Sequence, residues 1–177
     1  MGMKNRWLVL LLLLFFLLDG ALFPWLLPQP GPDGFAVSPR LAMMGILYAA
    51  MFRGRNLGLA LGLVFGFMQD VVYDGPMLGV HAFSMAAASY AAGTAGMRVK
   101  SGFLLPLLIV AFGLACQEGI AFSLYRLFQV ADMSWSDFAV RRLAPTLLAN
   151  LAAAAALHVP ASRKLAAEAD KRDEEPA

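Results

Sequence analysis

The sequence predicts an all-α, polytopic membrane protein, a bundle of six transmembrane helices with a short charged tail. Three observations predict it. Of the 177 residues, 60% are apolar and only 15% are charged, well below the roughly 25% charged of soluble domains. Nine of the 26 charged residues fall within 162–177, so residues 1–161 carry just 17. Apolar runs recur at about the 20-residue length that a spanning helix needs, and no window alternates as the strands of a membrane barrel do. This composition excludes a disordered chain, a collagen and a disulfide scaffold. The chain divides into a six-helix transmembrane domain, 1–161, and a charged cytoplasmic tail, 162–177.

The first run, Trp7 to Leu18, follows Lys4 and Arg6 and continues through Asp19-Gly20 to Leu27. Its basic start and short core resemble a signal peptide. A small-residue cleavage site is missing, so the helix is expected to be retained. Prolines and glycines across 28–34 end it, since neither residue continues a helix. Span two is expected from Val37 to Phe52, the shortest of the six, and stops at Arg53-Gly54-Arg55. Span three covers Leu57 to Tyr73 and closes at Asp74-Gly75-Pro76. Span four, Met77 to Ala95, is rich in Ala, Gly and Ser, and span five covers Gly102 to Tyr125. A more polar stretch from Arg126 to Arg142 precedes span six, which is expected to end near Val159. Within that stretch Ser134 and Asp137 have the spacing of a helix N-cap, beside Trp135 and Phe138. The stretch reads either as an interfacial helix start or as a solvated loop with one aromatic anchor.

Orientation follows from the basic residues. With the N-terminus inside, Lys4, Arg6, Arg53, Arg55, Arg98, Lys100, Arg163, Lys164, Lys171 and Arg172 fall on the cytoplasmic side. Arg40, Arg126, Arg141 and Arg142 fall on the other. Both termini are therefore expected in the cytoplasm. The basic residues form no stripe, which argues against nucleic acid as a partner.

Function must be sought in the polar residues that a bilayer should exclude. Gly58, Gly62 and Gly66 recur every four residues, with Asp70 one step further, so all four share one helical face. The glycines cut a groove that another helix can approach closely, and Leu78 and Gly79 extend this candidate packing or partner face. Asp19, Asp70, Glu118 and Arg126 form a candidate intramembrane polar cluster in the outer half, with Arg40, Arg141 and Arg142 as further counter-charges. Gln69 and Gln117, each preceding an acid, can hydrogen-bond across helices. The rival reading is a solute site built from the same groups, with Tyr73 alongside.

Catalytic and metal chemistry find little purchase. His81 and His158 lie near opposite ends without a second ligand at metal spacing, and read as interfacial or capping residues. His81 and Ser84 share a face, yet no nucleophile elbow or oxyanion loop accompanies them. No glycine loop is spaced to cradle phosphate. The single cysteine, Cys116, can form no intrachain disulfide. No enzyme activity, no cofactor and no metal are expected.

The stretch Gly62-Leu63-Val64-Phe65-Gly66-Phe67-Met68-Gln69-Asp70, followed by Pro76-Met77-Leu78-Gly79 and Tyr90, resembles the signature region of the MreD family of bacterial rod shape-determining membrane proteins. Leu143-Ala144-Pro145-Thr146-Leu147-Leu148-Ala149-Asn150 is similar to the family's last helix, with Pro145, Thr146 and Asn150 its marked positions, and Arg163-Lys164 follows as there. Leu47-Tyr48 and Arg53-Gly54-Arg55 look like the end of its second helix. The resemblance implies a non-enzymatic component of the cell-elongation machinery in the cytoplasmic membrane. It also implies partners: an MreC-like periplasmic scaffold, an MreB-like filament and the elongation peptidoglycan synthase pair, besides membrane lipid. Finally, it implies a bundle similar to the substrate-binding components of energy-coupling-factor vitamin transporters, which makes a small-solute binder the alternative function. Those components dock through a small-residue face on the first helix. Here Leu8 to Leu18 is bulky throughout, which argues against that mode.

Overall fold

The computed structural model describes residues 3–22, 37–73, 75–97 and 104–156. The proline–glycine loop 28–34, Asp74, Arg98, Lys100, His158 and the tail 162–177 lie outside the described residues. Within them the chain is helical, with no strand.

Helix α1 (Met3–Leu17) widens into a π-turn at Leu18–Leu22. An extended stretch, 37–40, leads into α2 (Leu41–Arg53). Gly54 alone joins α2 to α3 (Arg55–Val72), at φ +110, a conformation that glycine adopts without steric cost. Helices α4 (Val80–Gly96) and α5 (Leu104–Leu127) follow. The last helix, α6, starts at Trp135–Asp137, passes through a π-turn at Phe138–Leu143 and continues over 144–156.

Two boundaries differ from the sequence reading. Span two begins four residues later than expected, because 37–40 runs extended. At 13 residues α2 reaches only about 20 Å, short of a ~30 Å hydrocarbon core. Ala42 to Met44 and Ile46 to Met51 are buried, with α1, α3, α4 and α5 packed around it. The last helix begins well before Arg142. Ser134 caps it, its Oγ accepting the Asp137 N–H at 3.1 Å, so of the two readings the stretch supplies a helix start. Pro145 lacks an N–H and would press on the carbonyl one turn earlier. The π-turn just before it, where the Ala144 N–H reaches Ala139 O, relieves both problems.

The core gathers around α2, where Leu12 and Phe16 of α1 meet Met43, Met44 and Leu47. Phe65, Met85, Val110, Leu114 and Ala154 close it from the other helices. The tightest pairing is α3 against α4. A Cβ at Gly62 would stand 2.7 Å from the Met85 carbonyl oxygen and 2.8 Å from Ala86 Cα; one at Gly66 would stand 2.5 Å from the His81 carbonyl oxygen. The predicted groove is therefore filled by a helix of the same chain, and these glycines face inward. Among the described helices, α5 is long and apolar enough to cross a membrane by its own composition, and α2 is apolar but shorter.

Candidate functional site

Helices α2 and α4 begin at the same end of the bundle. The first N–H groups of a helix have no partner within it, and burying them unpaired costs about 1–3 kcal/mol each. At both starts a carboxylate from the preceding helix answers that need. Asp19 accepts the N–H of Leu41 on Oδ1 at 2.9 Å and of Ala42 on Oδ2 at 2.8 Å. Asp70, 2% exposed, accepts from Gly79 at 2.8 Å and from His81 and Ala82 at 3.2 Å, and its Oδ1 stands 2.8 Å from His81 Nδ1. The negative charges also lie where the helix dipoles are positive.

The π-turn of α1 aims Asp19. Gly20 leaves the space that the Tyr73 ring occupies, where any Cβ would overlap it, and the Tyr73 hydroxyl donates to the Phe16 carbonyl at 2.7 Å. Around Asp70 the chain must turn sharply, and Gly79 does so at φ +93. Its part is thus to bend the backbone and donate to Asp70; space surrounds its Cβ position. Leu78 beside it is 69% exposed.

The extended stretch before α2 is gripped from the far side by α6. Asn150 accepts the Arg40 N–H at 2.8 Å and donates to the carbonyls of Ser38 (2.9 Å) and Thr146 (2.8 Å), while Thr146 Oγ1 accepts the Ser38 N–H at 3.2 Å. One segment, 38–42, is thereby held by side chains from α1 and α6. The Arg40 side chain adds α5, with Nη2 2.7 Å from Glu118 Oε1. Arg40, Asp70 and Glu118 each lie within electrostatic reach of His81, and Tyr125 OH stands 3.3 Å from His81 Nδ1.

Of the four expected cluster residues, Asp19 and Glu118 both hold the segment 38–42, Glu118 through Arg40, while Asp70 holds the start of α4. Arg126 does neither. It sits exposed in the last turn of α5 and reaches the Met133 carbonyl at 3.4 Å, because its position at the helix end points it away from the bundle. Arg40 takes the place expected of it. Gln117, fully buried, makes no hydrogen bond among the described residues. The role of Ser38 went unread, since a serine in an extended stretch carries no periodic signal. His81, read as an interfacial or capping residue, falls in the first turn of α4.

Chemically the arrangement binds helix starts. Ser84 Oγ is fully buried and donates to the His81 carbonyl at 3.2 Å, so it is not presented to a substrate. Among the described residues no group of three or more His, Cys, Asp or Glu could hold a metal ion. The Arg40–Glu118 pair gives a first test. Removing one partner of a largely buried pair strands the other charge, at about 3 kcal/mol or more. Glu118→Gln and Arg40→Gln should each lower the thermal midpoint in detergent, and the double variant should recover much of the loss. Additive losses in the double variant would show that the two do not act as a pair.

Comparison with known proteins places these helices in context. A family model described as rod shape-determining protein MreD matches residues 1–166. The chain is 28% identical over 128 residues to the rod shape-determining protein MreD of Bacillus subtilis (strain 168), covering 72% of this chain and 74% of that one. No solved structure matches it significantly.

Proposed function

Because the chain belongs to the MreD family of rod shape-determining membrane proteins, we propose that it is a non-enzymatic, multi-pass component of the cell-elongation machinery in the bacterial cytoplasmic membrane. In this reading it crosses the membrane six times with both termini in the cytoplasm, and it supports peptidoglycan synthesis at the lateral wall by binding membrane partners. An MreC-like scaffold, an MreB-like filament and the elongation synthase pair are the expected partners.

The observation that carries this reading is the family match across residues 1–166, which takes in every described helix. The polar network supports it from the other side. Asp19 and Asp70 have their carboxylate oxygens taken up by helix starts, and Glu118 is paired with Arg40. Such groups hold helices in place. The apolar faces that remain outside, such as Leu63, Val64, Phe67 and Val71 on α3, suit lipid or other membrane helices.

Depletion with microscopy tests the proposal. In a rod-shaped host, loss of the protein is expected to give round, swelling cells, restored by the wild-type chain. Loss of uptake of a vitamin-sized solute with cell shape unchanged would instead favour the substrate-binding component of a transporter.

A further inference from the structure

The turn between α5 and α6 carries an apolar rim. Leu127, Phe128, Val130, Met133, Trp135 and Val140 are each 40% to 72% exposed. The rim is not loose: Phe138 stacks on Phe122 at 4.0 Å between centroids, and Trp135 sets its ring edge-on to Phe122 at 4.8 Å. Beside it stand two exposed cations, Arg126 in the last turn of α5 and Arg142 in the π-turn of α6, while Arg141 lies 3.6 Å from Asp137. Asp132 is exposed as well, and the other acid of the stretch, Asp137, is the one beside Arg141.

Depth decides what such a rim meets. The 24 residues of α5 extend about 36 Å, against a hydrocarbon core of about 30 Å. A helix that enters at Leu104 therefore brings Arg126 and the turn after it to the headgroup layer. Aromatic rings favour that layer, and arginine stems reach through it to put guanidinium on phosphate.

We propose that residues 126–142 form a lipid-binding foot, in which the apolar rim enters the boundary between acyl chains and headgroups. Arg126 and Arg142 hold the phosphodiesters of the surrounding phospholipids. The foot fixes the depth of α5 and α6, and so the level at which Glu118, Thr146 and Asn150 meet the start of α2. It rests on the membrane-spanning reading of α5.

The test uses the full chain in phosphatidylcholine vesicles, with Trp7 and Trp25 changed to phenylalanine so that Trp135 reports alone. Lipids brominated near the carbonyl should quench Trp135 more than lipids brominated near the chain end, and aqueous iodide should quench it weakly. Arg126→Gln with Arg142→Gln should raise iodide quenching; an unchanged profile overturns the phosphate contacts. A companion chain with Trp135→Phe and Phe112→Trp places the probe on the exposed side of α5, and deep bromines should quench it. If they do not, the spanning reading fails and the foot with it. If they do, but iodide quenches Trp135 strongly and bromolipids do not, the foot alone is overturned and the rim is left for a protein partner.

Discussion

Gly66→Ala is expected to cost the bundle about 3 kcal/mol or more, the upper range for forcing extra atoms into a packed core. The added methyl would lie 2.5 Å from the His81 carbonyl oxygen and 2.6 Å from Ala82 Cα. Both neighbours are helix backbone and cannot swing aside, so α3 and α4 must separate. Separation also draws α4 away from Asp70, which caps it. Gly62→Leu should act likewise, against Met85 and Ala86. Gly119→Ala is the matched control, since nothing lies within 4 Å of its Cβ position, and it should be tolerated. The thermal midpoint in detergent and the yield of monodisperse protein check the contrast, with rescue of cell shape as the cellular readout. If Gly66→Ala keeps the wild-type midpoint yet loses co-purification of a membrane partner, the groove belongs to that partner and not to α4.

That outcome bears on how much the sequence discloses. The four-residue glycine spacing announces a close helix approach because it is a property of one helix face. Which helix arrives is a matter of tertiary packing, and nothing in the spacing distinguishes α4 from a foreign helix. Helix existence was legible for the same reason: long apolar runs and proline–glycine breaks are local signals. The boundaries failed where a distant side chain decides them. Residues 37–40, Val37-Ser38-Pro39-Arg40, were joined to span two although Pro39 disfavours helix at the residue before it, and Asn150 and Thr146 hold the stretch extended from more than a hundred residues away. The π-turns at Leu18–Leu22 and Phe138–Leu143 were invisible, although Pro145 marks one of them in hindsight. At the candidate site, composition singled out Asp19, Asp70 and Glu118 because charge in an apolar run is costly. It could not rank the arginines. Arg40 and Arg126 are equally basic, and only the antiparallel packing of α2 on α5 brings Arg40 opposite Glu118.

Asp70→Ala should be the most damaging single change at the polar end, and its comparison with two milder variants separates structure from chemistry. The carboxylate serves three backbone N–H groups and the His81 ring at once. Deleting it strands three buried donors, each worth about 1–3 kcal/mol, and the loss grows where water cannot substitute. Asp70→Asn keeps one acceptor oxygen but turns an NH2 group towards donors that Oδ1 or Oδ2 had served, so it should lose nearly as much. His81→Phe removes the ring's contacts with Asp70 and with the Tyr125 hydroxyl and leaves the Gly79 and Ala82 bonds in place; its loss should be about 1–2 kcal/mol. The expected order of thermal midpoints is therefore wild type, then His81→Phe, then Asp70→Asn, then Asp70→Ala, and rescue of cell shape should follow that order. A solute-binding or proton-handling carboxylate would behave otherwise. Asp70→Asn would then keep the midpoint while abolishing function, and His81→Phe would match it in cells. The capping geometry argues for the first pattern, since a carboxylate whose two oxygens are both taken up by a helix start has its charge committed before any ligand arrives.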